Sequence, residues 1–138
     1  MIIVIDTNIL ISALIKDSLT RRIIVSSGMN FCYPEISLHE LRRHKNMVME
    51  KSGLDEKEFE SLLEKILKYV VLIPTEVIKD HLEKAKDIMS KIDPKDVVFM
   101  AVALAFENAV IWSDDRDFEK QISVGVVKTA QFARLFGK

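Results

Sequence analysis

The chain begins Met1-Ile-Ile-Val-Ile-Asp6-Thr7-Asn8, a run of β-branched residues that ends at an aspartate. Branched residues favour strands, and a short apolar run bounded by polar residues is typical of a strand buried on both faces. Such strands occur in parallel sheets that are covered by helices on both sides. The opening residues therefore predict a buried strand over Ile2–Ile5, with a carboxylate directly at its carboxyl end.

Four further short apolar runs follow, separated by longer segments with helical periodicity. The strands they predict are Phe31–Tyr33, Val70–Ile73, Val110–Trp112 and Val124–Val127. Strands that alternate with helices usually form one parallel sheet with helices on both sides. We therefore expect an α/β fold.

Composition narrows the class of protein. The chain has 138 residues, of which 49% are hydrophobic and 30% charged. This size supports one domain with a real core, without disulfides or a structural metal. Twenty Lys and Arg residues oppose 21 Asp and Glu, a net charge of -1. The chain thus lacks a general basic field, and any nucleic acid must be bound by a local patch.

The apolar segments do not indicate a membrane protein. The longest apolar run, Val97–Phe106, has ten residues, whereas a membrane-spanning helix needs roughly 18 or more. We predict a buried helix there and no membrane partner. The first residues lack the basic leader of a secretory signal, which predicts a cytoplasmic location. Cys32 is the single cysteine, and we expect it to pack in the core.

The sequence contains capping motifs that predict where several helices begin. Ser37-Leu-His-Glu40 and Asp55-Glu-Lys-Glu58 fit the capping box, and Asp93-Pro94 fits an N-cap followed by proline. Thr129 is expected to cap the last helix and Gly137 to end it. The starts at Ser37 and Asp93 place Glu40 and Asp96 in the first turns of their helices.

Acidic residues concentrate where a parallel sheet forms its binding site, at the carboxyl ends of the strands. The acids at strand ends or in the first turns of helices are Asp6, Glu40, Asp96, Asp114, Asp115 and Asp117. Each has an ordinary explanation, either as a turn former or as a charge that complements the helix dipole. Three acids within four positions after one strand exceed what an ordinary turn needs. Together, the acids favour a functional cluster.

A cluster of carboxylates requires a counter-charge, since two like charges ~4 Å apart cost ~4 kcal/mol at an effective dielectric constant of 20. His39 and His44 lie five residues apart and His81 is isolated, so the histidines do not suit a shared zinc ion. Oxygen ligands alone favour Mg²⁺ or Mn²⁺. A hydrated divalent ion on carboxylates suits phosphodiester hydrolysis. The pattern therefore predicts phosphoryl chemistry.

Positive charge adjoins one of the acids. Arg43 and His44 follow Glu40 by three and four residues, so they share its face on a helix and could bind a substrate phosphate. Other basic residues could bind a polynucleotide backbone, although a solvated helix face explains each equally well; they are Lys16, Arg21, Arg22, Arg42 and Lys45. Trp112 lies inside a predicted strand, so we expect it in the core rather than stacked on a base.

Four motifs together resemble the PIN domain family. They are Val-Ile-Asp6-Thr7-Asn8-Ile-Leu, the acidic helix start at Glu40, Asp93-Pro-Lys-Asp96 before an apolar helix, and Ile-Trp-Ser113-Asp-Asp115-Arg-Asp117-Phe118. None is specific alone, but their order and spacing extend over nearly the whole chain. The sequence looks most like the small single-domain PIN ribonucleases of prokaryotes, including VapC-type toxins.

The resemblance implies a three-layer α/β/α sandwich with a central parallel sheet of about five strands, in a single domain over residues 1–138. It also implies an endoribonuclease that uses Mg²⁺ or Mn²⁺ to hydrolyse RNA. By position, the family's catalytic and metal-binding acids match Asp6, Glu40, Asp96 and Asp115, with Asp117 as a frequent additional ligand.

The resemblance also assigns supporting residues. Thr7 and Asn8 match the polar residues that brace the first aspartate, and Ser113 matches the small hydroxyl residue before the last motif. Asp114 departs from the family pattern, because it leaves two adjacent acids as candidates for one metal ligand. The family spacing favours Asp115.

Other functions stay open. A Mg²⁺-dependent phosphatase of the haloacid dehalogenase type would have a second aspartate two residues after the first, where this chain has Asn8. A catalytically silent PIN-like module that binds RNA or protein would usually lack one of the acids, and none is missing. The resemblance further implies a homodimer and, for a toxin, an antitoxin partner. The apolar face of Asp55–Tyr69 could form the dimer interface, although core packing is the commoner use of such a face.

Overall fold

Five parallel strands form the centre of the molecule. The computed structural model describes residues 1–15, 18–89 and 91–136. The strands are β1 (Ile2–Ile5), β2 (Asn30–Pro34), β3 (Val70–Ile73), β4 (Ala109–Trp112) and β5 (Gly125–Val127). Every predicted strand is present, and each boundary lies within one residue of its prediction.

The strand order is β3-β2-β1-β4-β5. The five strands are parallel, and the order in which they are added reverses at β1. The chain moves outward through β2 and β3, then returns to place β4 and β5 on the other side of β1. Ile5 pairs with Trp112 in the register of β1 and β4. The carboxyl ends of these two strands therefore lie side by side, at the position where open α/β sheets bind ligands.

Helices cover both faces of the sheet. They are α1 (Thr7–Ile15), α2 (Leu19–Ser26), α3 (Leu38–Arg43), α4 (Lys45–Ser52), α5 (Glu56–Leu67), α6 (Thr75–Ile78), α7 (Leu82–Met89), α8 (Val97–Leu104) and α9 (Thr129–Phe136). Successive residues of β1, which face opposite sides, are all fully buried: Ile3, Val4 and Ile5. Among the contacts, α8 packs on β1, β2 and β4, and α5 packs on β3. The three-layer α/β/α arrangement is confirmed.

The predicted core residues are buried. α8 is almost wholly apolar and packs against the sheet, and no helix of the described ranges is long and apolar enough to cross a membrane. Cys32 is buried, and this burial raises the pKa of its thiol to about 12. Trp112 packs its ring against Phe31 and Phe132, with centroids 5.8 and 4.7 Å apart.

The apolar face of α5 is also part of the core. Phe59, Leu63 and Ile66 are buried, while Leu62 and Leu67 are partly buried. Core packing is therefore the main use of this face, as expected. The homodimer that the resemblance implies gains no support from it.

Two predicted helix starts are confirmed. At α5, Asp55 accepts a hydrogen bond from the Glu58 N–H (2.8 Å), and the Glu58 side chain accepts one from the Asp55 N–H (3.0 Å). Before α8, Asp93 accepts from the Lys95 N–H (2.9 Å) at the start of a 3₁₀ turn over Pro94–Asp96. Both caps satisfy backbone donors that the first turn leaves free.

The capping box predicted at Ser37 is wrong. A 3₁₀ turn over Glu35–Ser37 precedes α3, so Ser37 has helical dihedral angles (φ -83°, ψ -3°) and its side chain makes no capping bond. An N-cap residue needs an extended backbone for its side chain to reach the following N–H groups. The turn is instead tied by Tyr33, whose hydroxyl donates to the Ser37 carbonyl (2.9 Å).

The predicted role of Thr129 is also wrong. Thr129 is the first residue of α9 rather than its cap, and it donates from its N–H and its hydroxyl to Asp114 (2.8 and 2.7 Å). The acceptor at this helix start thus comes from the turn after β4. Gly137, expected to end the helix, lies outside the described residues.

These two kinds of helix start predict different mutational costs. Asp55→Ala removes a side chain that caps α5 and should lower the free energy of unfolding by about 1 kcal/mol. Ser37→Ala removes no cap, so its effect should be about half that or less. Urea unfolding followed by circular dichroism measures both values, and equal losses in the two variants would contradict the assignment.

Candidate metal centre

The pairing of β1 with β4 assembles the acidic edge of the sheet. The Asp6 N–H continues the strand ladder by donating to the Trp112 carbonyl (3.3 Å), and the Ser113 N–H donates to the Val127 carbonyl of β5 (3.1 Å). The residue after β1 and the turn after β4 are therefore adjacent. This geometry follows directly from the parallel register.

Asp6 is buried and held from two sides. One carboxylate oxygen accepts from the Ile9 N–H (2.9 Å) in the first turn of α1, and the other accepts from the Ser113 hydroxyl. The Ser113 hydroxyl accepts in turn from the Asp115 N–H (3.0 Å). Burial raises the pKa of Asp6 to about 6, although the bonds from Ser113 and Ile9 oppose this rise. The carboxylate is thus oriented before any ligand arrives.

Four other carboxylates converge beside Asp6. Asp93, Asp96, Asp115 and Asp117 each present one oxygen such that all four oxygens lie within 4.8 Å of one another. Two come from the start of α8 and two from the turn after β4, which forms a 3₁₀ turn over Arg116–Lys120. The fold therefore brings together acids from segments that lie far apart in the sequence.

Asp96 is the most buried member of this group. It is only 9% exposed, and its Oδ2 atom is buried without a hydrogen-bond partner among the described residues. Burial, together with the nearby charges of Asp93, Asp115, Asp6 and Asp117, raises its pKa to about 7. A buried oxygen without a partner costs free energy. A cation bound at this point would remove that cost.

The turn after β4 separates the roles of its first two acids. Asp114 turns toward α9 and accepts both hydrogen bonds from Thr129, whereas Asp115 lies in the four-carboxylate group. Asp115 also caps the following 3₁₀ turn by accepting from the Asp117 N–H (2.9 Å). The geometry therefore favours Asp115 over Asp114 as a metal ligand.

Glu40 approaches the same edge from another direction. It lies in α3, half-buried, and is not one of the four grouped carboxylates. Its charge and that of Asp6 both raise the pKa of Tyr33, whose hydroxyl lies between α1 and the turn before α3. Because the capping box is absent, Glu40 does not cap its helix, although it lies in the first turn of α3.

The sequence matches a known family over most of its length. A model of the PIN domain matches residues 4–133. The chain belongs to the PIN domain family. Comparison with curated proteins finds no significant match.

A solved structure shares the fold of this PIN domain. It is the crystal structure of VapBC2 from Rickettsia felis bound to a DNA fragment from their promoter, and it resembles the chain with a TM-score of 0.69. The match covers 93% of this chain and 98% of that chain, at 18% sequence identity. At this identity the likeness shows the fold alone.

Within the PIN fold, the structure groups some of the predicted site residues more closely than others. It places Asp96, Asp115 and Asp117 together, and it adds Asp93, which the sequence indicated only as a helix cap. Asp93 lies three residues before Asp96, and this spacing across one turn was the available signal. Ser113 contacts Asp6, but the Thr7 hydroxyl bonds Tyr33 (2.8 Å) rather than the aspartate.

Three of the predicted basic residues, Arg21, Arg42 and Lys45, already form ion pairs or hydrogen bonds within the protein. Arg42 pairs with Glu60 (2.9 Å), and Lys45 pairs with Glu56 (2.7 Å) and Glu60 (2.9 Å). Arg21 donates to carbonyls at the end of α1, at 2.7 Å for Ala13 and 3.5 Å for Leu14.

The other basic residues of the prediction differ in their surroundings. Arg43 is exposed and His44 half-buried, at the end of the helix that carries Glu40. Arg22 is also exposed, and Lys16 lies outside the described residues. The phosphate contacts of Arg43 and His44 therefore stay predictions.

The crowded carboxylates predict an unusual pH dependence of the metal-free protein. Asp6 and Asp96 have folded-state pKa values of about 6 and about 7, above their ordinary value of 3.8. Between pH 4 and 7 the folded state therefore holds more protons than the unfolded state, and stability falls as pH rises. We expect a loss of roughly 4 kcal/mol between pH 5 and pH 8 in EDTA.

Urea unfolding at the two pH values measures this loss, and Asp96→Asn is the matched control. The variant lacks one of the two titrating groups, so its stability should change less than that of the wild type. Mn²⁺ should restore stability at pH 8, because a ligand that binds the folded state stabilises it. Wild-type stability that rises from pH 5 to pH 8 in EDTA would contradict the prediction.

Proposed function

We propose that this PIN domain is a divalent-metal-dependent endoribonuclease. The observation that carries the proposal is the group of four carboxylates around Asp96, one of whose oxygens is buried without a partner. Asp6 lies near enough for its charge to raise the pKa of Asp96, and we propose that Glu40 belongs to the same site. Family membership supports the same function, since PIN domains are generally nucleases.

The residues present fit a hard divalent cation. The described donor set at this point consists of carboxylate oxygens, which suit Mg²⁺ or Mn²⁺ better than zinc. Asp96, Asp115, Asp117 and Asp93 would hold the ion, with Asp6 and Glu40 completing the site. When bound, such an ion lowers the pKa of a coordinated water and neutralises charge on the phosphate.

The chain's own residues prepare the site for a polynucleotide. Ser113 and the Ile9 N–H fix the orientation of Asp6, so its carboxylate needs no rearrangement when a substrate binds. Arg43 and His44 follow Glu40 by three and four residues, and we propose that they bind a phosphate of the substrate. A cavity of about 310 Å³ between α1 and the turn after β4 offers room for an adjoining nucleotide; it is lined by Asn8, Ile9, Ser12, Asp114 and Asp115.

A protein partner is part of the proposal. The similar solved structure is a VapBC2 assembly with promoter DNA, and by analogy we propose that this chain is a VapC-type toxin paired with an antitoxin. The homodimer is proposed on the family resemblance. Light scattering of the purified chain tests the homodimer, and a monomer at micromolar concentration would contradict it.

The nuclease proposal predicts cleavage of RNA that requires metal. Purified protein should cleave internal phosphodiester bonds of single-stranded RNA in the presence of Mg²⁺ or Mn²⁺. Cleavage should stop in EDTA. Asp6→Asn, Glu40→Gln and Asp96→Asn should each lower the rate by ~100-fold or more, because even residues outside the ligand shell commonly cost ~10–100-fold. Gel mapping of the cut ends measures cleavage, and calorimetry measures Mn²⁺ binding.

Glu107→Gln provides a matched control for Glu40→Gln, because Glu107 is exposed just before β4 at the opposite edge of the sheet. It should cut at the wild-type rate. Full activity in EDTA would overturn the proposal. Metal binding with hydrolysis of small phosphate monoesters but not RNA would favour a phosphatase, and RNA binding without metal binding would favour a silent module.

The two acids of the turn after β4 should behave differently. Asp115→Asn should weaken Mn²⁺ binding and slow cleavage, because it changes a member of the carboxylate group. Asp114→Asn should instead lower the free energy of unfolding by about 1 kcal/mol, since it weakens the hydrogen bonds to Thr129, while Mn²⁺ affinity changes little. Calorimetry and urea unfolding separate these outcomes, and the reverse pattern would reassign the ligand.

A further inference from the structure

One buried side chain joins the segments that carry three of the acids. Tyr33, near the end of β2, is fully buried. Its hydroxyl contacts Thr7 in α1 (2.8 Å) and the carbonyl of Ser37 in the turn before α3 (2.9 Å). Its ring packs against Phe99 of α8, with centroids 5.9 Å apart. Tyr33 therefore touches α1, the turn before α3, and α8 at once.

Each of these contacts lies close to one acid in the sequence. The contact residues and their acids are Thr7 with Asp6, Ser37 with Glu40, and Phe99 with Asp96. Thr7 adjoins its acid, and the other two lie three residues away, which is about one helical turn. Tyr33 therefore contacts residues that lie next to, or about one helical turn from, three of the acids.

The direction of the hydrogen bonds can be assigned. A carbonyl only accepts, so the single proton of the Tyr33 hydroxyl is donated to Ser37. The Thr7 hydroxyl must then donate to the Tyr33 oxygen. The result is a directed chain from Thr7 through Tyr33 to Ser37, buried at every step. Removing the phenolic oxygen would leave both neighbours without their partner.

The charges of the site act on this hydroxyl. Burial raises the pKa of Tyr33, the hydrogen bond with Thr7 opposes this rise, and the charges of Glu40 and Asp6 raise the pKa further. The phenol therefore stays neutral and keeps its donor. It lies within the electrostatic range of both carboxylates without binding either.

We propose that Tyr33 is a positioning residue of the metal centre. By linking the first turn of α1 to the turn before α3, its hydroxyl sets the separation of Asp6 and Glu40. The inference rests on the proposed function. It also accounts for the missing capping box, since the turn before α3 is held by Tyr33 instead of by the side chain of Ser37.

Tyr33→Phe tests the role, because it removes the hydroxyl and keeps the ring against Phe99. The protein should stay folded, with Mn²⁺ affinity and kcat each reduced ~10-fold or more, as for other residues that orient metal ligands, and with a smaller change in KM for RNA. Measurements are made where urea unfolding shows both proteins to be fully folded. A purely structural tyrosine would leave Mn²⁺ affinity unchanged under those conditions.

Tyr69→Phe is the matched control. Tyr69 is 48% exposed, so the loss of its hydroxyl should change neither Mn²⁺ affinity nor kcat. Thr7→Val removes the hydroxyl that donates to Tyr33. It replaces Tyr33→Phe as the test variant if Tyr33→Phe fails to fold. The two changes should be non-additive in one protein, and Thr7→Ser, which keeps a hydroxyl, should retain wild-type Mn²⁺ affinity.

Amide hydrogen exchange of the metal-free proteins gives a readout that needs neither metal nor RNA. Exchange over residues 35–43 should be faster in Tyr33→Phe than in the wild type. Unchanged exchange, or unchanged Mn²⁺ affinity and kcat, would overturn the positioning role. Failure of the proposed function is recognised separately, because the wild-type protein itself would then neither bind Mn²⁺ nor cut RNA.

Discussion

The parallel pairing of β1 with β4 is the constraint on which the candidate metal centre depends. It places the residue after β1 beside the turn after β4, so that the Ser113 hydroxyl can bond Asp6 and the Asp115 N–H can bond Ser113. Because side chains alternate along a strand, a register shift of one residue would turn them to the opposite faces. Ile3, Val4 and Ile5 are all fully buried, so a shift that drew Asp6 into the place of Ile5 would bury its charge among apolar side chains.

The same constraint forces carboxylates together at a cost in free energy. Like charges at short range, partly removed from water, destabilise the metal-free fold. The surrounding structure offsets this cost through the packed core and the hydrogen bonds that hold Asp6. A protein that keeps such an arrangement trades stability for a site that is already arranged to bind a cation.

Much of the fold could be predicted because its signals are local. The β-branched runs mark the strands, and the acids at their ends mark the edge where the site forms. Asp55 and Asp93 cap helices as predicted because the bonds they make lie within one turn. Ser37 and Thr129 could not be predicted in this way. Their conformations depend on Tyr33 and Asp114, which are distant in sequence or belong to another element.

The candidate site shows the same division. Strand ends indicated Asp6 and Asp115, and predicted helix starts indicated Glu40 and Asp96. The family spacing favoured Asp115 over Asp114 without deciding between them, because the choice depends on where α9 begins relative to the turn after β4. The sequence also did not identify Asp93 as a member of the group, because a cap already explained that residue. Tyr33 carried no local signal, since an aromatic residue in a strand is usually only core.

The pairing of Arg42 and Lys45 with acids of α5 has a consequence for how a polynucleotide would be held. Salt weakens protein–nucleic acid binding in proportion to the number of phosphates that basic side chains neutralise, since each contact releases condensed counterions. Cations already engaged by Glu56 and Glu60 contribute few such contacts. On the proposed function, affinity for RNA would therefore depend only weakly on ionic strength and strongly on the free concentration of divalent ion.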